Sequence, residues 1–188
     1  KPHSFWGGAE MSSSVAPGGG ATYGGVHFSS QWLDVRAGAR YVFATSQYFL
    51  APRATYTKDD TEDRSGPKQH YVSLEAEAAS SIPTPRGAVF GTAGIYQVMG
   101  TPPGWNLFEQ TLQVVAKPGI LWRGRLGYIL NIDKWDMFRV GVAVEAIGNP
   151  ARDLIVVRAG PMVTTLITHH LEAYGAALLV VHSKDTLG

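Results

Sequence analysis

The chain of 188 residues contains no cysteine. Disulfide-stabilised scaffolds and cysteine-ligated metal sites are therefore excluded. Charged residues are also scarce, at 16% of the chain, against roughly 25% in typical soluble domains. The formal net charge is only +1, so the composition gives no sign of the clustered basic surface that binds nucleic acid.

Long hydrophobic runs are missing as well. The longest apolar run, YGAALLVV at 174–181, is much shorter than the roughly 18 residues that mark a membrane-spanning helix. No glycine-rich phosphate loop, HExxH or EF-hand pattern occurs, and we expect no cofactor. The first residues, KPHSFWGG, are not a leader, so export would require that a signal peptide has been removed.

The chain consists mainly of a succession of strand-like segments. Apolar and polar residues alternate with a period of two, and turn-forming Gly, Pro and Asn separate the segments. The segments are 5–15, 21–30, 33–49, 69–81, 87–98, 106–116, 120–131, 136–147, 153–165 and 170–182. This pattern predicts one all-β domain over 1–188, an antiparallel up-and-down barrel of about ten strands, or alternatively twelve.

The connections between the segments alternate in length. Short ones lie near 30 and at 83–87, 117–120 and 148–152, and longer or more polar ones lie at 16–21, 51–68, 100–106 and 131–136. We therefore expect the short turns at one end of the meander and the long loops at the other, as in outer-membrane barrels.

The polar faces of the segments carry arginines and carboxylates. In YVSLEAEAASS (71–81), Glu75 and Glu77 share one face while Leu74 and Ala76 share the other. The complete set is Asp34, Arg36, Arg40, Glu75, Glu77, Glu109, Arg123, Arg125, Arg139, Glu145, Arg158 and Glu172. The set contains no lysine, and arginine is the residue preferred for desolvated, bidentate pairing with carboxylates. We therefore expect the charged faces to be enclosed and the apolar faces to point outward.

Aromatic residues give a second indication. Trp6, Trp32 and Trp122 are expected at the short-turn end of the strands, and Trp105 and Trp135 at the long-loop end. Two aromatic bands separated by the length of a strand are typical of the two interfaces of a membrane.

On these grounds the chain resembles small bacterial outer-membrane β-barrel proteins over nearly its whole length, in architecture and without a diagnostic motif. It departs from them at its end, SKDTLG, where such proteins commonly have an aromatic residue. The resemblance implies a transmembrane protein exported to the outer membrane of a Gram-negative cell envelope. It also implies contact with lipid and lipopolysaccharide, and leaves open another envelope protein as partner.

For function, the resemblance implies a non-enzymatic barrel with a charged lumen. A barrel of about ten strands is closer in size to those filled by side chains than to porins with open channels, so a mostly filled lumen is favoured. The role would then be structural, adhesive or partner-anchoring. A narrow porin-like pore is the variant.

Two alternatives belong to other functional classes. A soluble lipocalin-like barrel that binds an apolar ligand would turn Leu33, Val35, Phe138 and Val140 inward. A lipid A deacylase-like hydrolase would use His27 and Ser29, which stand two apart on one face of a strand, although the sequence identifies no third catalytic acid.

One acidic loop, KDDTEDR at 58–64, contains candidate metal ligands. Asp59, Asp60 and Asp63 are oxygen donors of the kind that suits Ca²⁺, but they lack the regular spacing of a calcium loop. A solvated loop without metal is the favoured interpretation.

Overall fold

The computed structural model describes residues 5–16, 18–132, 137–168 and 171–187. Within them the chain forms β-strands and two 3₁₀ helices, Asp59–Glu62 and Pro150–Arg152, and none of its helices has the length and apolar character needed to cross a membrane. The strands are β1 (Trp6–Ala16), β2 (Gly19–Ser29), β3 (Leu33–Tyr48), β4 (Lys68–Thr84), β5 (Gly87–Met99), β6 (Leu107–Glu109), β7 (Val114–Ala116), β8 (Gly119–Asn131), β9 (Phe138–Asn149), β10 (Leu154–Thr168), β11 (Leu171–Ala176) and β12 (Leu179–His182).

Ten of these strands form one antiparallel sheet. Its order is β1-β2-β3-β4-β5-β8-β9-β10-β11, and β12 also pairs with β10. The prediction of an all-β, antiparallel, up-and-down sheet of about ten strands is confirmed. Neighbouring strands stay in register over long stretches, as in β1 and β2, where pairing runs from Trp6 opposite Ser29 to Ala16 opposite Gly19.

The sheet has two edges, β1 and the β11–β12 side. Among the described residues no ladder joins β1 to β11 or β12, so the observed pairing does not close the sheet. Because every neighbouring pair is antiparallel, the first and ninth strands in the order, β1 and β11, run in the same direction.

The last predicted strand, 170–182, is interrupted. Both β11 and β12 pair with β10, and the chain approaches β10 closely between them. A Cβ placed on Gly160 would lie 1.9 Å from the carbonyl oxygen of Ala177, so only glycine fits at that point of β10.

The prediction that 106–116 adds a strand to the meander is wrong. Its two halves, β6 and β7, pair with each other in a separate two-stranded sheet, and β5 pairs directly with β8. Leu107 and Val114 are completely buried and belong to a hydrophobic cluster with Leu121 on β8. We call residues 107–116 the inner hairpin, because it packs against the sheet face that carries the charged residues.

Losing this strand from the sheet reverses the expected direction of all the strands that follow. The β9–β10 connection therefore lies at the end that holds the long connections 49–67 and 100–118, and the β8–β9 connection lies at the end with 30–32 and 85–86. The predicted segregation of short and long connections fails beyond residue 106. It also fails between β1 and β2, where the connection predicted as long at 16–21 spans only residues 17–18.

The two faces of the sheet differ sharply in polarity. Apolar side chains on the outer face are exposed, among them Leu126 at 63% and Val142 at 62%, whereas Glu145 on the opposite face is only 2% exposed. Leu33 and Phe138, which the lipocalin alternative places inside, are also exposed. The sheet thus has an apolar outer face and a charged inner face.

The inner face curves around a partly enclosed space. Glu10 on β1 and Arg125 on β8 line the same cavity of about 340 Å³, although five strand positions separate them in the sheet order. In a flat sheet that separation would span about 24 Å, at roughly 4.8 Å per strand. The sheet therefore curls strongly toward its own charged face.

Candidate functional site

The charged residues of β3 and β4 pair across the strand ladder. Arg36 stands directly opposite Glu77 and donates from Nε to Glu77 Oε2 at 2.7 Å. Arg40 lies diagonally from Glu75 and donates from Nε to Glu75 Oε1 at 2.7 Å. Both glutamates of the 71–81 segment thus accept a hydrogen bond from an arginine of β3.

Tyr96 on β5 adds a second donor to Glu77. Its hydroxyl donates to Glu77 Oε1, and the ring lies over Gly94 on the same strand. A Cβ on Gly94 would lie only 2.6 Å from the Tyr96 hydroxyl oxygen. The small residue leaves room for the ring, and so connects β5 to the pair formed by β3 and β4.

Glu145 on β9 is the centre of a second cluster. Its Oε1 accepts from Arg123 Nε at 2.6 Å and from Arg125 Nη2 at 2.8 Å, and its Oε2 accepts from Arg158 Nη1 at 3.3 Å. The register places Arg125, Glu145 and Arg158 opposite one another on β8, β9 and β10. One buried carboxylate therefore accepts hydrogen bonds from three guanidinium groups.

Several polar contacts hold the inner hairpin against the sheet. On one side, Tyr71 donates to Glu109 at 3.0 Å, and Gln69 donates to the Phe108 carbonyl at 2.8 Å. On the other side, Arg158 donates to the carbonyls of Leu112 and Gln113, both at 2.8 Å. The hairpin is thus tied to β4 and to β10, which lie on either side of it.

The turn of the inner hairpin also reaches β3. Arg40 Nη1 donates to the hydroxyl of Thr111, and the same nitrogen lies 4.0 Å from Glu109 Oε1. Thr111 lines a cavity of about 250 Å³ beside β1–β4 and another of about 640 Å³ beside β8–β12. The hairpin therefore divides the inner space.

The structure brings together most, though not all, of the predicted charged set. Asp34 pairs with His27 instead of an arginine, and Arg139 stands at the start of β9, opposite Asn131 and Thr164 and away from Glu145. The side chain of Glu172 lies outside the part of the structure that is described.

The ring of His27 lies between two carboxylates. His27 Nε2 lies 2.7 Å from Asp34 Oδ2, and its Nδ1 lies 3.4 Å from Glu10 Oε2, so carboxylates face both ring nitrogens. No hydrogen bond joins Ser29 to His27 in the described residues. Glu10, which the charged set omits, completes this group.

The acidic loop is organised by hydrogen bonds within the protein. Asp60 accepts from the backbone N–H of Thr57 at 2.8 Å and from its hydroxyl at 3.0 Å, and it pairs with Arg53. These bonds hold the pKa of the Asp60 carboxyl below its ordinary value, and a bond from the Ser65 backbone lowers the pKa of Asp63. The described residues, which include Asp59, hold no group of three ligands suited to a metal.

The tryptophans depart from the predicted two bands. Trp32, 49% exposed, lies in the β2–β3 connection. Trp122, expected at that same end, lies near the start of β8 at the opposite end. Trp105 lies in the connection after β5, at the long-loop end as expected, but it packs against the hydrophobic core. Trp6 belongs to the charged face, where its ring meets His27 edge-on at 5.0 Å between centroids. Trp135 lies outside the described residues.

A buried ion pair near the end of the chain is absent from the predicted set. Arg152 donates from Nη2 to Asp185 Oδ1 at 2.6 Å, and Asp185 also accepts from the backbone N–H of Tyr56 at 3.0 Å. The three residues are far apart in sequence and belong to no alternating segment, so no local pattern indicates the contact. The pair ties the chain after β12 to the long β3–β4 connection.

Comparison of the chain with family models, curated proteins and solved structures gives no match. The functional argument therefore depends on the geometry of the inner and outer faces.

Proposed function

We propose that the protein is a non-enzymatic β-barrel of the bacterial outer membrane whose charged lumen is filled by its own inner hairpin. The observation that carries the proposal is the polarity of the sheet. Outward-facing Leu126 and Val142 are more than 60% exposed, while Glu75 and Glu145 on the other face are 8% and 2% exposed. A water-soluble barrel needs the reverse arrangement, because burying charge is costly and exposing apolar surface gains nothing.

A hydrocarbon environment accounts for this arrangement. Lipid solvates an apolar outer face, and the charges are paired within the protein, as is typical of transmembrane barrels. The outer membrane of Gram-negative bacteria is where barrels of this type reside. Lipid and lipopolysaccharide would then be the partners of the outer face.

In a membrane, the two edges of the sheet would need hydrogen-bond partners for their backbone groups. Unpaired backbone groups are not tolerated in hydrocarbon, so β1 and the β11–β12 side must find partners. Since β1 and β11 run in the same direction, a strand inserted between them would be antiparallel to both. Such a strand would complete a barrel of the up-and-down type.

The filled interior favours a structural or partner-anchoring role over transport. The inner hairpin occupies the middle of the space, and hydrogen bonds from Tyr71 on one side and Arg158 on the other hold it there. The two cavities beside it, about 250 and 640 Å³, share Thr111 of the hairpin as a lining residue. A narrow pore would require the hairpin to move.

Two measurements test the proposal. We expect the purified protein to need detergent or lipid to stay monodisperse, and to give little conductance in planar bilayers. A monodisperse protein in plain buffer would overturn the membrane assignment. Steady conductance in the unmodified protein would instead support the pore variant and contradict the filled lumen.

A further inference from the structure

The three inner cavities differ in their balance of charge. The cavity beside β1–β4 is lined by two arginines, Arg36 and Arg40, and two glutamates, Glu75 and Glu109. The cavity shared by β1–β5 and β8 is lined by three acids, Glu10, Asp34 and Glu77, and by four basic side chains, Arg36, Arg123, Arg125 and His27. Within the described side chains, both of these cavities contain roughly equal numbers of acids and bases.

The cavity beside β8–β12, of about 640 Å³, is different. Arg123, Arg125 and Arg158 line it, together with the carboxylates of Glu145 and Asp185. Asp185 is engaged by Arg152, which contacts its Oδ1 at 2.6 Å and its Oδ2 at 2.5 Å. Among the described residues that line this cavity, Glu145 is therefore the one carboxylate not engaged by Arg152. It faces three guanidinium groups, two of which, Arg123 and Arg125, also line the cavity that holds Glu77.

The number of hydrogen-bond donors on these arginines also exceeds the number of acceptor sites on Glu145. Three guanidiniums bring about fifteen N–H donors, whereas one carboxylate offers about four lone-pair sites. Arg158 spends two of its donors on the carbonyls of Leu112 and Gln113, but Arg125 directs its Nε and Nη2 to the single oxygen Glu145 Oε1. Arg123 likewise reaches that oxygen through Nε. The guanidinium groups of Arg123 and Arg125, both on the cavity wall, thus share one acceptor atom, Glu145 Oε1.

We propose that this cavity binds a small soluble anion that carries a carboxylate or phosphate group, with Arg123 and Arg125 as its main contacts. The fork geometry of arginine matches both kinds of oxyanion in a bidentate manner, and partial enclosure strengthens the interaction relative to water. Tyr174 and Ser183, which also line the cavity, can donate hydroxyl hydrogen bonds to the same ligand. The site depends on the inner face alone and does not require the membrane assignment.

Titration calorimetry of the purified full chain, in an uncharged detergent at constant ionic strength, tests the proposal. The probes are succinate, inorganic phosphate and succinamide, the last being a neutral analogue of succinate. We expect heat of binding from succinate or phosphate and none from succinamide. Absence of binding by both anions, or equal binding of succinate and succinamide, would overturn the site.

Two variants locate the binding. Arg125→Gln removes one guanidinium group but leaves Arg123 and Arg158 on Glu145. It should weaken anion binding at least tenfold, or about 1.4 kcal/mol, because charge-assisted hydrogen bonds to the ligand are lost. Leu178→Glu adds a carboxylate to the cavity lining without removing an arginine, and it should weaken binding to a similar extent. The second variant keeps the test valid if the first does not fold.

A matched control is available at the far end of the sheet. Arg86 is exposed in the β4–β5 turn, and Arg86→Gln makes the same change of charge outside the cavity. Its affinity should equal that of the unmodified protein. If Arg86→Gln weakens binding as much as Arg125→Gln, the effect reflects net charge, and the assignment to this cavity is wrong.

Discussion

Val142→Arg is the substitution that best tests whether the outer face meets lipid. Val142 lies near the middle of β9, opposite Tyr128 on β8 and Pro161 on β10, and it is 62% exposed on the apolar face. An arginine at this position would project away from the paired charges of the inner face. Its cost therefore depends on what surrounds the protein there.

The expected magnitude separates the two environments. At the midplane of a bilayer, an outward arginine on a β-barrel costs about 2–4 kcal/mol of folding free energy, and near an interface about 0–1 kcal/mol. On a surface in water the same change would usually stay within about 0.5 kcal/mol. Ile155→Arg is the matched control, because Ile155 is also outward and 52% exposed but stands second in β10, near the end of the strand.

The assay is denaturant unfolding of each variant in lipid vesicles, followed by tryptophan fluorescence. We expect Val142→Arg to lower the free energy of unfolding by about 2–4 kcal/mol and Ile155→Arg by about 0–1 kcal/mol. Equal and small effects at both positions would show that the middle of the outer face does not lie in hydrocarbon. That result would refute the argument from sheet polarity.

Three further predictions concern the inner face and the acidic loop. Glu145→Gln should lower the free energy of unfolding, measured with denaturant, by about 3–5 kcal/mol, because it leaves three arginines without their buried counter-charge. Glu10→Gln is the control: it removes a more exposed partner of a histidine and should lower the free energy of unfolding by about 0–1 kcal/mol. Arg158→Gln removes the donor to two carbonyls of the inner hairpin, so conducting events in planar bilayers should become more frequent; an unchanged record would contradict the filling role of the hairpin. The Asp60 carboxylate, whose folded pKa lies below its ordinary value of 3.8, stabilises its loop above that value, and the stabilisation should disappear as the pH falls through the lowered pKa. Carboxyl titration by NMR measures this, and an Asp60 pKa at or above 3.8 would contradict it.

Strand positions and the polarity of the two faces are readable from the sequence because both depend on a local period of two. Arg123 and Arg125 alternate with Trp122 and Leu126 whatever the rest of the chain does. The nine outer segments accordingly appear as strands within a few residues of their predicted bounds, although the last is split in two.

Whether residues 106–116 join the main sheet cannot be predicted from a local pattern. Their alternation fits a strand, but whether that strand joins the sheet depends on β5 pairing directly with β8, a contact between distant parts of the chain. A single misplaced strand then reverses the direction of every later one. This is why the sequence pattern places Trp122 on the correct, outward face but at the wrong end of the sheet.

The partners within the charged set also depend on register. Arg36 meets Glu77 because the β3–β4 ladder sets them opposite, and Glu145 meets three arginines because β8, β9 and β10 align at that level. Alternation predicts which side chains share a face but not which of them touch. The surplus of arginine at Glu145 becomes visible only once the register is known.

The segment 71–81 shows why periodicity outweighs propensity in this chain. Leu, Glu and Ala are good helix formers, so LEAEAA would favour a helix in isolation. In a helix, however, Glu75 and Glu77 would project about 200° apart, since successive residues turn by about 100°. In β4 the two carboxylates share one face, where Arg40 and Arg36 of the neighbouring strand reach them. Because desolvated carboxylates need such partners, the strand is the conformation that satisfies both glutamates at once.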